Sequence, residues 1–318
     1  MKIAALNLPP LARLAAAVAL ACTALSSQGA AVVALTATEN IGSAAGPGLN
    51  VMTPFPPTGG DFFRSGGTST NSTFFHTYGF TTGLTYFGAR VSGQGTFFGN
   101  TSATYSDSYT NSTGVAQLVS FNFNVDSGQI GLAGTGNGYA DLRLRVRFNG
   151  VDVARDHGRV ERTSSGLTCV VADQDIGVLG GYLSSCDGAN LNAYGASAAH
   201  TITQLLGVGA TLNVSYDIVA EVSGTFSGTP STFCSEGPRP QGATAAGAIG
   251  DVPGYSGCTN FHAIARSGDP AGFTPFNPGQ FGITAMDVPE PGSLALALVA
   301  LAGLGASARR TQRPANGS

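Results

Sequence analysis

Tryptophan is absent from the 318 residues, and the single lysine is Lys2. Without Trp the commonest sugar-stacking platform is missing, although nine Tyr and eighteen Phe leave sugar binding open. Charged residues make up only 10% of the chain, well below an ordinary globular domain. Between the two ends no segment sustains a helical apolar period, although residues 193–206 are compatible with a short helix. There is no C-x-x-C pair, and His76, His157, His200 and His262 are scattered with no ligand-like spacing, which argues against a metal site. No phosphate loop or dinucleotide fingerprint is present. Gly254-Tyr255-Ser256-Gly257 is one residue short of a nucleophile elbow and has no α/β pattern around it. We therefore expect neither a cofactor nor a metal ion.

What is abundant is glycine, 46 residues and about twice the usual share, together with Ser, Thr and Asn. Polarity supplied by hydroxyls and amides suits exposed strand faces and turns. Leu212, Val214, Tyr216, Ile218, Ala220 and Val222 alternate with mostly polar residues, the pattern of a half-buried strand. Val119, Phe121, Phe123 and Val125 repeat it, and residues 32–36, 74–80, 84–91 and 96–105 read as further strands. Leu142, Leu144, Val146 and Phe148 alternate with Arg143, Arg145 and Arg147 ahead of Asn149-Gly150, the preferred type I′ turn. A two-residue turn there sets Phe148 against Val151 and Val146 against Val153 on a buried face. It sets Arg147 against Asp152 and Arg143 against Asp156 outside, with Arg145 opposite Ala154. This is a solvated face with cross-strand ion pairs in preference to an anion cradle. Residues 42–73 and 224–260 read as long loops rich in Gly, Pro, Ser and Thr.

Few constellations carry chemistry. Asp152, Asp156, His157 and Glu161, and separately Asp173 and Asp175, are close enough in sequence to offer a glycosidase acid and nucleophile, but close carboxylates are common by chance. Residues 134–141 form a turn-rich acidic stretch without the spaced carboxylates of an EF-hand. The Asn-x-Ser/Thr sequons at Asn71, Asn100, Asn111 and Asn213 are read as chance.

The ends differ from the middle. Lys2 and Arg13 precede an apolar run at 14–25 and small residues at 26–31, which reads as a secretory leader for the Sec translocon and signal peptidase. Removing the leader takes Cys22 and leaves Cys169, Cys186, Cys234 and Cys258. Four cysteines in an exported chain suggest two disulfides. Of three possible pairings, Cys169–Cys186 with Cys234–Cys258 is favoured, each closing a loop of small residues and contributing on the order of 3 kcal/mol. Without its ends the chain keeps ten Arg and seventeen Asp and Glu, so its net charge is near −7. That argues against nucleic acid and anionic membrane surfaces as partners.

At the other end Pro289-Glu290-Pro291 leads into a charge-free apolar run, 294–308, followed by Arg309 and Arg310. At helical rise the run spans about 22 Å, short of a roughly 30 Å hydrocarbon core. The arginines stay cytoplasmic by the positive-inside rule, which places the body outside. Motif, apolar helix and basic cluster in this order resemble the PEP-CTERM sorting signal of exopolysaccharide-producing Gram-negative bacteria. The resemblance implies recognition by an exosortase, a membrane transpeptidase, and cleavage near the motif. It covers about a tenth of the chain and implies nothing about the body.

These readings divide the chain into a leader (1–31), a β-rich exported domain (32–287) and a sorting tail (288–318). The expected fold is all-β, a sandwich or jelly-roll-like domain with long loops, flanked by the leader and a C-terminal apolar helix. The expected protein is non-catalytic: a surface or extracellular-matrix component associated with exopolysaccharide or biofilm. It is held briefly at the inner membrane and then delivered to the surface or released. A carbohydrate-binding or adhesive module is the alternative, and a secreted hydrolase the third.

Overall fold

The computed structural model describes residues 27–28, 32–44, 49–53, 59–80, 86–125, 129–176, 191–194, 198–234, 258–269 and 281–288. Most of the expected leader, Cys186 and the tail beyond Val288 lie outside the described residues. All regular structure among the described residues is strand.

The largest sheet has eight strands. Its order is β12 (Gly166–Gln174), β11 (Val151–Thr163), β10 (Thr135–Phe148), β15 (Thr211–Ser227), β7 (Thr96–Thr110), β2 (Val32–Ile41) and β3 (Leu49–Thr53), with the short β1 (Ser27–Gln28) pairing to the end of β7. The second sheet runs β13 (Leu191–Tyr194), β9 (Gln129–Leu132), β18 (Ala263–Asp269), β6 (Tyr86–Gln94), β5 (Ser72–Phe80) and β4 (Gly59–Gly67). The third is β14 (Ala198–Leu206), β8 (Gln117–Val125) and β19 (Gly282–Asp287), and β16 (Ser231–Cys234) with β17 (Cys258–Phe261) forms a ribbon. Every pairing is antiparallel.

The period-two patterns explain the core. Leu212 to Val222 on β15, Leu142 to Phe148 on β10 and Ala103 with Tyr105 on β7 bury one face of the large sheet. Phe75, Val91, Ile130 and Ala265 of the second sheet and Val119, Phe121, Phe123 and Val125 of the third join the same cluster. Each fully buried Phe or Leu removes enough apolar surface from water to contribute about 1.5–3 kcal/mol. The second sheet approaches closely because Gly93 has no side chain: a Cβ there would lie 2.1 Å from the Phe97 ring. An aromatic seam joins the third sheet to the first. Tyr105 stacks on Phe121 at 6.0 Å and meets Phe281 edge-on at 5.0 Å, and Phe123 touches Tyr216 at 5.2 Å.

The 142–153 hairpin forms with the expected turn, Asn149 and Gly150 both at positive φ (50° and 81°). Phe148 faces Val151 and Arg147 faces Asp152 as the sequence implies, but a bulge then shifts the register by one. Val146 therefore faces Ala154, Arg145 faces Arg155, Arg143 faces His157, and Asp156 opposite Leu144 turns inward. Val151 and Val153 are exposed and not part of a buried face. Three further expectations are corrected. Residues 193–206 contain no helix among those described, because Ala193 pairs with Ile130 and β14 with β8. The stretches at 42–73 and 224–260 hold strands β3, β4, β16 and part of β5, β15 and β17. The acidic stretch 134–141 is the start of β10.

Two buried side chains tie the loops together. Asn111 is fully buried between β7 and β8. Its amide nitrogen donates to the carbonyls of Val115 (2.9 Å), Leu206 (3.1 Å) and Gly207 (3.1 Å), and its Oδ1 accepts from the backbone N–H and hydroxyl of Thr113. A sequon asparagine in that position is not available for glycosylation in the folded chain.

His262, between β17 and β18, accepts the Gly95 N–H at Nδ1 (3.0 Å), and its Nε2 lies 3.3 Å from the Gly228 carbonyl. Both contacts suit the neutral ring protonated at Nε2. Burial lowers its pKa, against the opposing pull of the Gly228 carbonyl. The unfolded chain, near 6.5, therefore binds the proton first. Stability from this group is complete above about pH 6.5 and is lost as pH falls through that value toward the folded pKa. We expect thermal unfolding between pH 7 and pH 5 to show a larger decrease in Tm for the native chain than for His262→Gln. Equal slopes would show that His262 does not set this dependence.

Candidate functional site

The outer face of the large sheet carries the densest polar chemistry. Side chains alternate across each strand, so Tyr139, Asp141, Arg143, Arg145 and Arg147 of β10 share this face with Asp152, His157, Arg159 and Glu161 of β11. Asp217 and Glu221 of β15 and Asn100, Ser102 and Thr104 of β7 continue it. At its centre Asp141 has a side chain only 2% exposed. Arg143 Nε donates to its Oδ1 at 2.6 Å, and His157 Nε2 lies 2.9 Å from Oδ2 with Arg159 3.7 Å away. Arg159 also lies over the Tyr139 ring at 3.7 Å. Tyr139 donates to Glu221 Oε1 at 2.6 Å, and burial followed by this acceptor raises the phenol's pKa.

The carboxylates on this face are occupied by their neighbours. Glu221 Oε2 accepts from Asn100 (2.6 Å), Asp217 accepts from Thr104 (2.8 Å) and Arg147 (2.5 Å), and Asp152 meets Arg147 at 3.0 Å and Arg145 at 3.7 Å. With Asp141, each of these four acids engages both of its oxygens. Neighbours on the same strand (Arg143 with Asp141, Glu161 with Arg159) and across strands thus supply these charges with partners, even where Arg145 and Arg155 sit directly opposite as like charges. Arg155 turns instead to Asp173 at 3.2 Å.

The sequence-adjacent acids do not form one cluster. Asp152 and Asp156 fall on opposite faces of β11, with Asp156 1% exposed. His157 faces Asp141, Glu161 pairs with Arg159 (3.2 Å), and Asp175 accepts the Arg155 N–H (3.1 Å). The Asp141–His157 contact was not found from sequence, because sixteen residues separate the two and a bulge sets their register. Among the described residues no three His, Cys, Asp or Glu are placed to hold a metal ion. At the lower rim of the sheet a shallow depression is lined by Asp107, Asn213, Ser106, Ser108 and Ser215. Burial raises the pKa of Asp107, against hydrogen bonds from Tyr105 and the Ser108 N–H. Cys169 lies on β12, and its expected partner Cys186 lies outside the described residues. Cys234 and Cys258 sit directly opposite each other across the β16–β17 ribbon.

The third sheet delivers the C-terminal tail. Edge strand β19 pairs with β8 through Asp287, opposite Gln117. Gln117 donates to Asp287 Oδ1 at 2.8 Å, and the Val288 N–H donates to the Ala116 carbonyl at 2.9 Å. The next residue is Pro289, which has no N–H to continue a ladder. The body is thus hydrogen-bonded to the residue before Pro289-Glu290-Pro291. Those three residues and Arg309 and Arg310 lie outside the described residues, and among the described residues no helix is long and apolar enough to cross a membrane.

Residues 287–310 match the family model of the PEP-CTERM protein-sorting motif. The match begins at Asp287, the last residue of β19, and ends at Arg310, so it covers the triplet, the apolar run and the arginine pair. Comparison with curated proteins and with solved structures finds no match for the chain.

Proposed function

We propose that this chain is an exported, exosortase-processed structural protein of the cell surface or extracellular matrix, associated with exopolysaccharide or biofilm. The observation that carries the reading is the sorting motif placed immediately after the last strand of an all-β body. In this reading the leader 1–31 passes the Sec translocon and is cut by signal peptidase. The run 294–308 then holds the precursor at the inner membrane with Arg309 and Arg310 inside, and an exosortase cuts near Pro289-Glu290-Pro291. The body is a non-catalytic β scaffold of sandwich or jelly-roll type, stapled by Cys169–Cys186 and Cys234–Cys258. The mutual occupation of Asp141, Asp152, Asp217 and Glu221, each with both oxygens engaged, supports a structural role for the charged face.

A second reading, an adhesive or carbohydrate-binding module, is favoured by the hydroxyl and amide row on the same face, where Thr36 and Ser102 hydroxyls lie 2.6 Å apart beside Asn100 and Thr104. Glycan binding by the tail-less body would move the assignment there. Turnover lost in Asp156→Asn or Asp173→Asn would instead establish a hydrolase.

Intact mass of the secreted protein tests the main reading. The mature species is expected to lack the leader up to a cut within 26–31 and everything beyond the motif. Replacing Pro289, Glu290 and Pro291 together by alanine is expected to leave an uncut precursor in the membrane fraction, with secreted product lost. A secreted form that still contains residues 294–318 would overturn the sorting assignment.

A further inference from the structure

The outer face of the third sheet changes character along its length. Toward its far end the cross-strand rows are polar: Thr201 with Asn122, then Thr203, Ser120 and Thr284, with Thr201 donating to Asn122 and Asn122 to Thr284. The next row, toward the tail, is Leu205, Leu118 and Met286. Beyond it Val288 bonds to Ala116. Leu205 is 62% exposed, Met286 65% and Val208, in the turn after β14, 60%. An antiparallel sheet with one solvated face ordinarily keeps that face polar. Here the polar pattern stops two rows before the chain leaves the body.

The asymmetry extends beyond this sheet. Seven large hydrophobic residues are exposed among those described, and six of them gather at this end, including Val151 and Val153 beside the Asn149-Gly150 turn. That turn belongs to the same end, because Asn149 bonds to Asn213 and the Gly207–Ala210 segment joins β14 to β15 there.

We infer that this apolar end is a membrane-docking surface, which seats the body on the lipid interface of the bilayer that holds the sorting tail. The argument rests on where the chain leaves the structure. The apolar run begins six residues after Val288, and six extended residues reach at most about 20 Å. A body tethered that closely, and hydrogen-bonded up to the residue before the motif, keeps this end within reach of the interface. The Leu205, Leu118 and Met286 row itself carries no charge; Asp287 beside it alternates to the opposite face of β19, where it accepts from Gln117, and Asp152 beside Val151 is paired with Arg147. Exposed apolar clusters of this kind mark interaction surfaces. The docked body presents Pro289-Glu290-Pro291 at the membrane surface, which is where a membrane-embedded transpeptidase must meet it. This inference rests on the anchored-tail reading above.

The absence of Trp makes the test direct, because a single introduced Trp is the only one in the chain. The full chain carrying Leu205→Trp or Met286→Trp is reconstituted into pure phosphatidylcholine vesicles, with and without bromines near the headgroup end of the acyl chains. Ser164→Trp, in the exposed turn between β11 and β12 at the other end of the body, is the reference. We expect the full chain to float with vesicles, with the Leu205→Trp and Met286→Trp emissions blue-shifted and lost to brominated lipid and the Ser164→Trp emission retained. A chain that floats with both probes unquenched, or with all three quenched alike, overturns the docking surface and leaves the anchored tail standing. A chain that does not float overturns the anchored tail and the docking surface with it.

Discussion

Replacing Asn111 with alanine is expected to cost the mature protein about 3–4 kcal/mol, measured by urea denaturation, given about 1 kcal/mol for each of its two N–H donors, shared among three carbonyls, and its two accepted bonds. The loss is large because nothing replaces it. The carbonyls of Val115, Leu206 and Gly207 converge on one buried amide, and an alanine leaves all three without its N–H groups. Asn111→Asp keeps the shape but turns a donor into an acceptor facing three carbonyls, so it is expected to destabilise at least as much. Thr113 would also lose the oxygen that fixes its hydroxyl. A loss below about 1 kcal/mol for both variants would show that the loop closes without this residue. Because the same loop supplies the Ala116 carbonyl that holds Val288, the exit of the tail should loosen with it.

The second large effect is expected at Phe121. Its ring lies 6.0 Å from Tyr105, 5.7 Å from Phe281 and 5.4 Å from Phe123, at the joint between the third sheet and the first. Truncation to alanine removes the transfer energy of a buried ring and leaves a cavity, about 3–5 kcal/mol. Hydrogen exchange tells this apart from uniform destabilisation. Amides of β14, β8 and β19 should lose protection first, while those of β10 and β15 keep theirs, because the third sheet has only three strands and depends on the seam. Equal loss across all sheets would mean that the third sheet is no separate unit.

Much of this architecture is legible in the sequence where side chains alternate cleanly. β15 carries six apolar residues at every second position, and β8 carries four, so both faces and both strands follow from the pattern. Asn149-Gly150 specifies its turn because both residues tolerate positive φ. The register two residues later is not legible. Ala154, Asp156 and Gly158 occupy inward positions of β11, and none has the bulk that would have marked the bulge. The buried position of Asp141 is hidden for a related reason. A lone aspartate in a Gly-rich stretch reads as a turn, and only the pairing of β10 with β11 brings Arg143, His157 and Arg159 around it. Residues 193–206 are compatible with a short helix, but strand partners at Ile130 and along β8 decide otherwise. The sorting motif was legible in full because it is read by order and composition, without tertiary context.

The two ends of the body lie close together. Val32, where β2 begins, pairs with Ser106 near the end of β7, five residues from Asn111, and Asn111 organises the loop whose Ala116 holds Val288. The first paired residue of the expected body and the last therefore leave it at the same end. A chain with that geometry can be closed into a ring by a short linker and reopened elsewhere, for instance at the Ser164-Ser165 turn, without crossing the core. On the proposed processing, the order of the two cuts does not matter to folding: the two ends leave the sheets side by side, and either cut frees a terminus that no strand has to thread past.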